Sequence, residues 1–534
     1  MGMTRRCAVT ALVTGVVCSA LAATFTHPLE RVASVDPIRS QATNDSFIIH
    51  LLYETILKID YFARPYKLSP GVCELPEVSA DGLTYTLTVR EGIAFHPHEV
   101  FGGKGRALTA EDVAYTLRRL ADPKNASGGM WTMACLSRVD VLDARHLKIT
   151  LKQPQHVFPW LLAMPFTGVV AREAVEKYGP RFGGVSVGSG PYRLAAWRRN
   201  HQMSLERMPD WHGWQEIKTV PFDRMEFPVV DDPSTKWLMF LAGQADFLRG
   251  IATDNWDAIV GPDGKLLPEL YAKGVRLHST PMLETTFIGC NMKDPVLGKS
   301  RKLRQALNCA FDFEAWNKFS NGRLMPCTAP VPPGIEGRVE TPFKYAYNPE
   351  KAKQLLKEAG YPDGIDPATG RHLVLPIILG NASQQMRVQM ELIVEFYDRV
   401  GLRLEPRYLT WNAFLQAVNE GRTALYYLGW VADYPDAENF MQLFHSKNVS
   451  PGANHANYVN PAFDALYDRA MATLDKEERM ACWRDAQEII REDCPLIWLD
   501  CPKRYWLSWK HVGNFIPSDF MNGAENICLR ADAE

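Results

Sequence analysis

The chain has no two cysteines at CxxC spacing, and only 11 cysteines among its 534 residues. That excludes a zinc knuckle or a thiol-redox motif of the usual kind. It also lacks an excess of either charge: 59 Lys and Arg face 61 Asp and Glu, a net −2. Composition therefore gives no electrostatic reason to expect nucleic acid or an anionic membrane as partner. Beyond an N-terminal apolar run from Cys7 to Phe25, no stretch is long and apolar enough to span a bilayer. The Gly102-Gly103-Lys104-Gly105 run lacks the full spacing of a phosphate loop and the Ser or Thr that must follow its lysine. His96-Pro97-His98-Glu99 has no third histidine nearby and reads as a solvated loop, so no metal site is expected. One hydrolase pattern occurs, Gly184-x-Ser186-x-Gly188. A nucleophile elbow must enter a helix directly, whereas Ser189-Gly190-Pro191 turns this chain into a strand through Trp197. A secreted hydrolase is the reading this disfavours; no catalytic residue and no cofactor are expected.

What remains is long and ordinary in composition, with 46% hydrophobic and 22% charged residues. A chain of this length outgrows one core, so two or three lobes are expected. Its 14 Trp and 19 Tyr are enough to fill cores and still line a ligand cleft. Arg5 and Arg6 precede the Cys7 to Phe25 run, and Ala20-Leu21-Ala22 offers a small-x-small cleavage site. Residues 1–23 read as a secretory signal, or as an uncleaved anchor. Cleavage would leave nine cysteines in an oxidising compartment, an odd number that leaves at least one thiol unpaired. Cys309 with Cys327 and Cys494 with Cys501 are the pairs suggested by proximity in sequence.

Local signals place the elements. Residues 47–59 read as a helix after Asn44-Asp45-Ser46, and Asp81-Gly82 makes a tight turn before the alternating strand from Thr84 to Val89. Thr109, Asp232 and Asn348 each stand where a helix cap is wanted, and Gly243 and Gly360 stand at helix ends. From Leu373 to Leu428 strand and helix alternate, which argues an α/β lobe whose strand ends face a crevice. At such an end lies Leu425 to Phe440. An apolar run, Leu425 to Leu428, leads to Gly429 and then to Trp430, Asp433, Tyr434, Pro435 and Asp436. A carboxylate between two aromatics can hold a small cation, because the rings exclude water while the carboxylate supplies a charge-assisted hydrogen bond. Asp436 reads as the cap of a helix over 437–445. Asp433 is open to either role, counter-ion for a ligand or partner of an internal Arg.

Gly429, Trp430, Ala432, Asp433, Tyr434, Asp436 and Phe440 together resemble the motif of bacterial extracellular solute-binding proteins of family 5, receptors of ABC importers for peptides, nickel chelates and opines. Asp81 to Leu87, Leu108 to Val113, Gly188 to Tyr192, Leu303 to Asp312 and Tyr347 to Tyr361 are similar to further family stretches in the same order. The resemblance runs from about Val35 to Phe515. It implies an α/β, bilobal periplasmic-binding-protein fold of the type II, large peptide-binding kind, with an extra subdomain on the first lobe. The first lobe would comprise residues 24–65, 188–282 and 503–534, the subdomain 66–187, and the second lobe 283–502. It implies that Asp433 pairs with a ligand's α-ammonium group, with Trp430 and Tyr434 as apolar walls. Val431 stands where oligopeptide binders carry a Cys, so the disulfide made there is absent. The implied partners are a short peptide or other small molecule and an inner-membrane ABC permease, served by a periplasmic monomer. Receptors of non-peptide solutes (metal chelates, opines, sugars) and sensing modules share the fold.

Overall fold

The structure, a computed structural model, describes residues 23–40, 42–216, 222–513 and 515–520. The expected signal or anchor lies outside these residues except for Ala23, as do Cys7, Cys18 and Cys528.

One strand organises the architecture. Leu496–Trp509 runs for 14 residues and changes partners on the way. Its first part pairs antiparallel with Glu284–Cys290, and Lys503 to Trp509 pairs antiparallel with Val275–Pro281. Pro502, whose nitrogen cannot donate to a ladder, sits at the handover, where its carbonyl accepts the Met282 N–H at 2.9 Å. Two segments, 281–284 and 500–503, therefore cross side by side between two bodies.

In the second body, Leu425–Val431 lies antiparallel to Glu284–Cys290 and parallel to Val374–Leu379, which is followed by Arg403–Tyr408. Strand alternation sends Ile288, Ile377, Leu379 and Leu425 into one core and Phe287, Ile378 and Tyr426 into another. Arg301–Ala310, Pro349–Glu358 and Gln384–Asp398 supply apolar faces to the first of these. Trp411–Asn419, Pro461–Ala472 and Lys476–Asp493 supply the second. A sheet buried on both faces needs near-continuous apolar strands, and LYYLGWV and VLPIIL are such strands.

The first body holds a sheet ordered Thr24–Thr26, Arg224–Pro228, Gln202–Arg207, Tyr192–Arg198. A second sheet, Glu77–Val78, Thr84–Thr88, His146–Leu151, Leu136–Val141, packs with the helix Ala110–Ala121 into the same core. The local signals hold here. Gly82 closes its turn at φ +68°, a left-handed conformation that glycine adopts without strain. The Thr109 N–H donates to Asp112 Oδ2 at 2.9 Å at the helix start.

Two expectations are overturned. The helix read over 47–59 is Thr43–Leu52, and Leu57–Ile59 is instead a strand paired with Leu68–Pro70. The stop comes from far away in sequence. Gly190 N–H donates to the Leu52 carbonyl at 3.1 Å, and a side chain at Gly188 would bring its Cβ to 1.9 Å from that oxygen. The Gly188–Pro191 turn thus seats on the helix end. The expected cysteine pairs are also not made: all eight described cysteines are thiols. Cys309 and Cys494 belong to one core of the central sheet and Cys327 and Cys501 to the other, so the sheet separates both expected pairs. The Cys327 and Cys501 thiols are neighbours instead.

Candidate functional site

The site grows from the end of Leu425–Val431. Ala432 N–H still donates to Leu283 O at 2.8 Å, which ties the last residue before the loop to the crossing segments. The chain then turns through Asp433 to Asp436 into the short helix Glu438–Met441. Asn439, fully buried, organises the turn. Its Oδ1 accepts the Trp430 Nε1–H at 3.0 Å and the Asp433 N–H at 3.1 Å, and its Nδ2 donates to Asp433 Oδ2 at 3.4 Å. One amide thus fixes both the indole and the carboxylate.

Protein surrounds Asp433 on most sides while its outer side stays open to solvent. Burial raises its carboxyl above the ordinary aspartate range, opposed by the Asn439 hydrogen bond. No Lys, Arg or His among the described residues forms an ion pair with it, so the internal-Arg alternative has no such partner there. The carboxylate opens on a cavity of about 270 Å³. Val431 and Ala432 line it beside Asp433, and Ser40, Ala42, Thr43, Ser46, Met164, Pro165 and Phe166 of the first body line it opposite, with Phe520. The Ser40 and Ser46 hydroxyls bond to each other at 3.0 Å. The cavity therefore offers one acid, a few hydroxyls and an apolar wall, the donor and acceptor mix of a small-molecule pocket.

The two aromatics named in the sequence part ways from that cavity. Trp430 is half-buried behind the carboxylate, bound to Asn439. Tyr434 is 2% exposed and packs into the core of the first body. Its hydroxyl donates to Glu438, as does that of Tyr467 to the other carboxylate oxygen. Neither ring lines the cavity; Met164, Phe166 and Phe520 supply its apolar surface instead. Nothing in the local sequence marked those three, or Ser40 and Ser46, because they reach the site only through the packing of one body on the other.

Asp436 stands just before a helix start, its Oδ1 accepting the Glu438 N–H at 2.9 Å, but the helix expected over 437–445 is Glu438–Met441, continued by a 3-10 turn over Gln442–Phe444. Asp436 has a second partner that the sequence did not indicate: His156 Nε2 lies 3.4 Å from the same oxygen. Burial pushes the Asp436 carboxyl up, but His156 and the Glu438 N–H outweigh it and hold the group below the ordinary range. Glu438 is raised, because burial outweighs its two tyrosine hydrogen bonds. His96, singled out above, holds the Gly190 carbonyl at 2.8 Å, and Ser186 sits in extended chain with no helix after it.

Two α/β bodies joined by crossing segments, with an extra subdomain on the first and a ligand-sized cavity between them, define the class: a bilobal type II periplasmic-binding fold. Solved structures share it. HbpA2 from Haemophilus parasuis is 24% identical with a TM-score of 0.80, covering 94% of this chain and 98% of that one. The periplasmic binding protein DppA from Helicobacter pylori, solved with the peptide STSA, is 22% identical with a TM-score of 0.75, covering 95% and 97%. Among curated proteins, the glutathione-binding protein GsiB of Salmonella typhi is 28% identical over 477 residues, 87% of this chain and 86% of that protein. The profile of the bacterial extracellular solute-binding proteins, family 5 (Middle), matches residues 67–451. The chain belongs to that family, whose members bind a peptide or other small molecule and work with ABC permeases. No helix among the described residues is long and apolar enough to cross a membrane.

Proposed function

We propose that this protein is the substrate-binding component of an ABC importer and captures a solute bearing a free ammonium group, foremost a short peptide, between its two lobes. The observation that carries this reading is Asp433: a carboxylate held at the mouth of a cavity, raised by burial and without a protein cation among the described residues. Asp433 is open to solvent on one side, and a ligand ammonium closing over that side would desolvate the carboxylate together with its own counter-charge. A volume of about 270 Å³ lies at the small end for ligand pockets, which favours short peptides over long ones. The names of relatives point the same way, one binding glutathione and one solved with a peptide.

In this reading the lobes divide as 24–65 with 188–282 and 503–534 against 283–502, with 66–187 as the added subdomain. The two crossing segments act as the hinge. A ligand that touches Asp433 on one lobe and Ser40 or Phe166 on the other binds the closed form more tightly and so shifts the equilibrium toward it. The closed protein, a monomer in the periplasm, then delivers its ligand to a membrane permease. No covalent step is involved.

The test is calorimetric titration of the purified protein with trialanine, N-acetyl-trialanine and glutathione. Binding of a free-amine peptide, lost on acetylation and in Asp433→Ala, supports the reading. Equal binding of amine and acetylated forms would overturn the ammonium pairing.

A further inference from the structure

A second cavity, of about 680 Å³, lies on the first lobe, away from Asp433. Five arginines line it, Arg39, Arg118, Arg119, Arg181 and Arg199, against the carboxylates Asp36 and Asp122. Arg119 is matched internally: it grips Asp36 through two bonds of 2.7 Å, and this nearly buried pair forms the floor. Arg118 pairs with Glu111 at 3.1 Å. Arg39, Arg181 and Arg199 form no ion pair among the described residues. Arg39 makes a long 3.4 Å bond to the Ala126 carbonyl. Arg199 donates to the Ala33 carbonyl at 2.7 Å and lies over Trp197, 3.7 Å from the ring centre. Arg181, exposed, has no hydrogen-bond or ion-pair partner among the described residues.

A guanidinium presents five donors in a rigid fork suited to carboxylate and phosphate oxygens. Three such forks converging on one concave surface repel each other, and a bound anion relieves that repulsion while accepting charge-assisted hydrogen bonds. The backbone leaves the space open: a Cβ at Gly184 would stand 3.3 Å from Arg199 Nη2. The near-neutral total charge hides this, because charge is averaged over the whole chain while the groove concentrates one sign.

We propose that this groove is a second ligand site, independent of the Asp433 cavity, for a small polyanion carrying phosphate or carboxylate groups. Neighbouring parts of the chain line the two: Ala33, Ser34, Asp36 and Arg39 the groove, and Ser40, Ala42, Thr43 and Ser46 the Asp433 cavity.

The experiment titrates the whole protein with inorganic pyrophosphate and with citrate at low and moderate salt, alongside vesicles of phosphatidylglycerol. The expected result is saturable binding of one or both free anions that weakens with salt. It should fall at least tenfold in R39A/R181A and vanish in R39E/R181E, with the unfolding temperature unchanged; Arg119 is left intact because its loss would strand Asp36. A preference for pyrophosphate over citrate, or the reverse, assigns phosphate or carboxylate as the recognised group. Binding that survives both double variants, absence of binding for both anions, capture by vesicles alone, or loss in Asp433→Asn with retention in R39A/R181A would each overturn the proposal.

Discussion

Asp433 and Asp436 belong to one short loop, yet their surroundings drive them in opposite directions. Asp433 faces a cavity, has an amide for its only hydrogen-bonding side chain among the described residues, and is raised by burial. Asp436 faces the first lobe across a closed contact, where His156 and a helix N–H hold it below the ordinary range. Two residues further on, Glu438 is sealed between Tyr434 and Tyr467. The loop thus has one acid turned to solvent and a satisfied side that binds protein to protein. The difference is one of partners: a carboxylate already given its donors serves the frame, and one left with a single weak donor is available to a ligand.

The sharpest way to break that comparison is Asp433→Ala. In the proposed closed complex Asp433 and the ligand ammonium form a desolvated pair, and removing one member of such a pair costs about 2–5 kcal/mol of binding, so affinity for a free-amine peptide should fall on the order of 100-fold or more. The unfolding midpoint should stay within about 2 °C, since among the described residues Asp433 holds no side chain but that of Asn439. A large loss of stability would place Asp433 in the frame instead.

Tyr434→Phe should do the reverse. It removes one of two donors to the buried Glu438 carboxylate, at a cost of about 1–3 kcal/mol in chemical denaturation, with little change in affinity. An affinity loss exceeding the stability loss would return Tyr434 to the ligand wall.

A third prediction concerns pH. The ammonium pair needs the Asp433 carboxylate, whose pKa is raised, so affinity should fall as pH drops through a value above the ordinary 3.8 of aspartate. Asn439→Leu removes the hydrogen bond that opposes this rise and should move the fall to still higher pH. The satisfied side has a different signature. Asp436, with its folded pKa depressed, contributes stability that is present above the unfolded value and lost as pH falls through the folded one; Glu438, raised, contributes stability gained as pH falls. Unfolding curves of Asp436→Asn and Glu438→Gln across acid pH should therefore change slope in opposite senses.

The smallest effect is expected from His156→Gln, about 1 kcal/mol or less in stability. Its use is to ask whether the Asp436 contact helps keep the lobes closed, read as a change in radius of gyration of the ligand-free protein by X-ray scattering.

Much of the frame was legible from local chemistry. Asp232 and Asn348 cap the helices they seemed to begin, and at Thr109 the Asp112 carboxylate accepts the Thr109 N–H, because such bonds join a side chain to an amide only three residues away. The alternating run from Leu373 to Leu428 became the doubly covered sheet, since strand burial is written in its apolar composition. Asp433 itself was singled out by resemblance, where periodicity was silent. Asn439, which holds it, was not: an Asn inside a helix-like run carries no mark of the residue it will meet.

What the sequence alone determined, then, was the α/β character, the helix starts at Thr109, Asp232 and Asn348, the family and the acid at the strand end. The tertiary structure decided where a helix stops, as at Leu52 under the Gly188–Pro191 turn. It decided which cysteines share a core, and that neither aromatic beside Asp433 would line its cavity. It also decided that five scattered arginines converge on one groove. Each of these depends on groups more than 100 residues apart or on opposite faces of a sheet, and burial, charge and hydrogen-bond supply at a residue are set by whatever the fold brings against it.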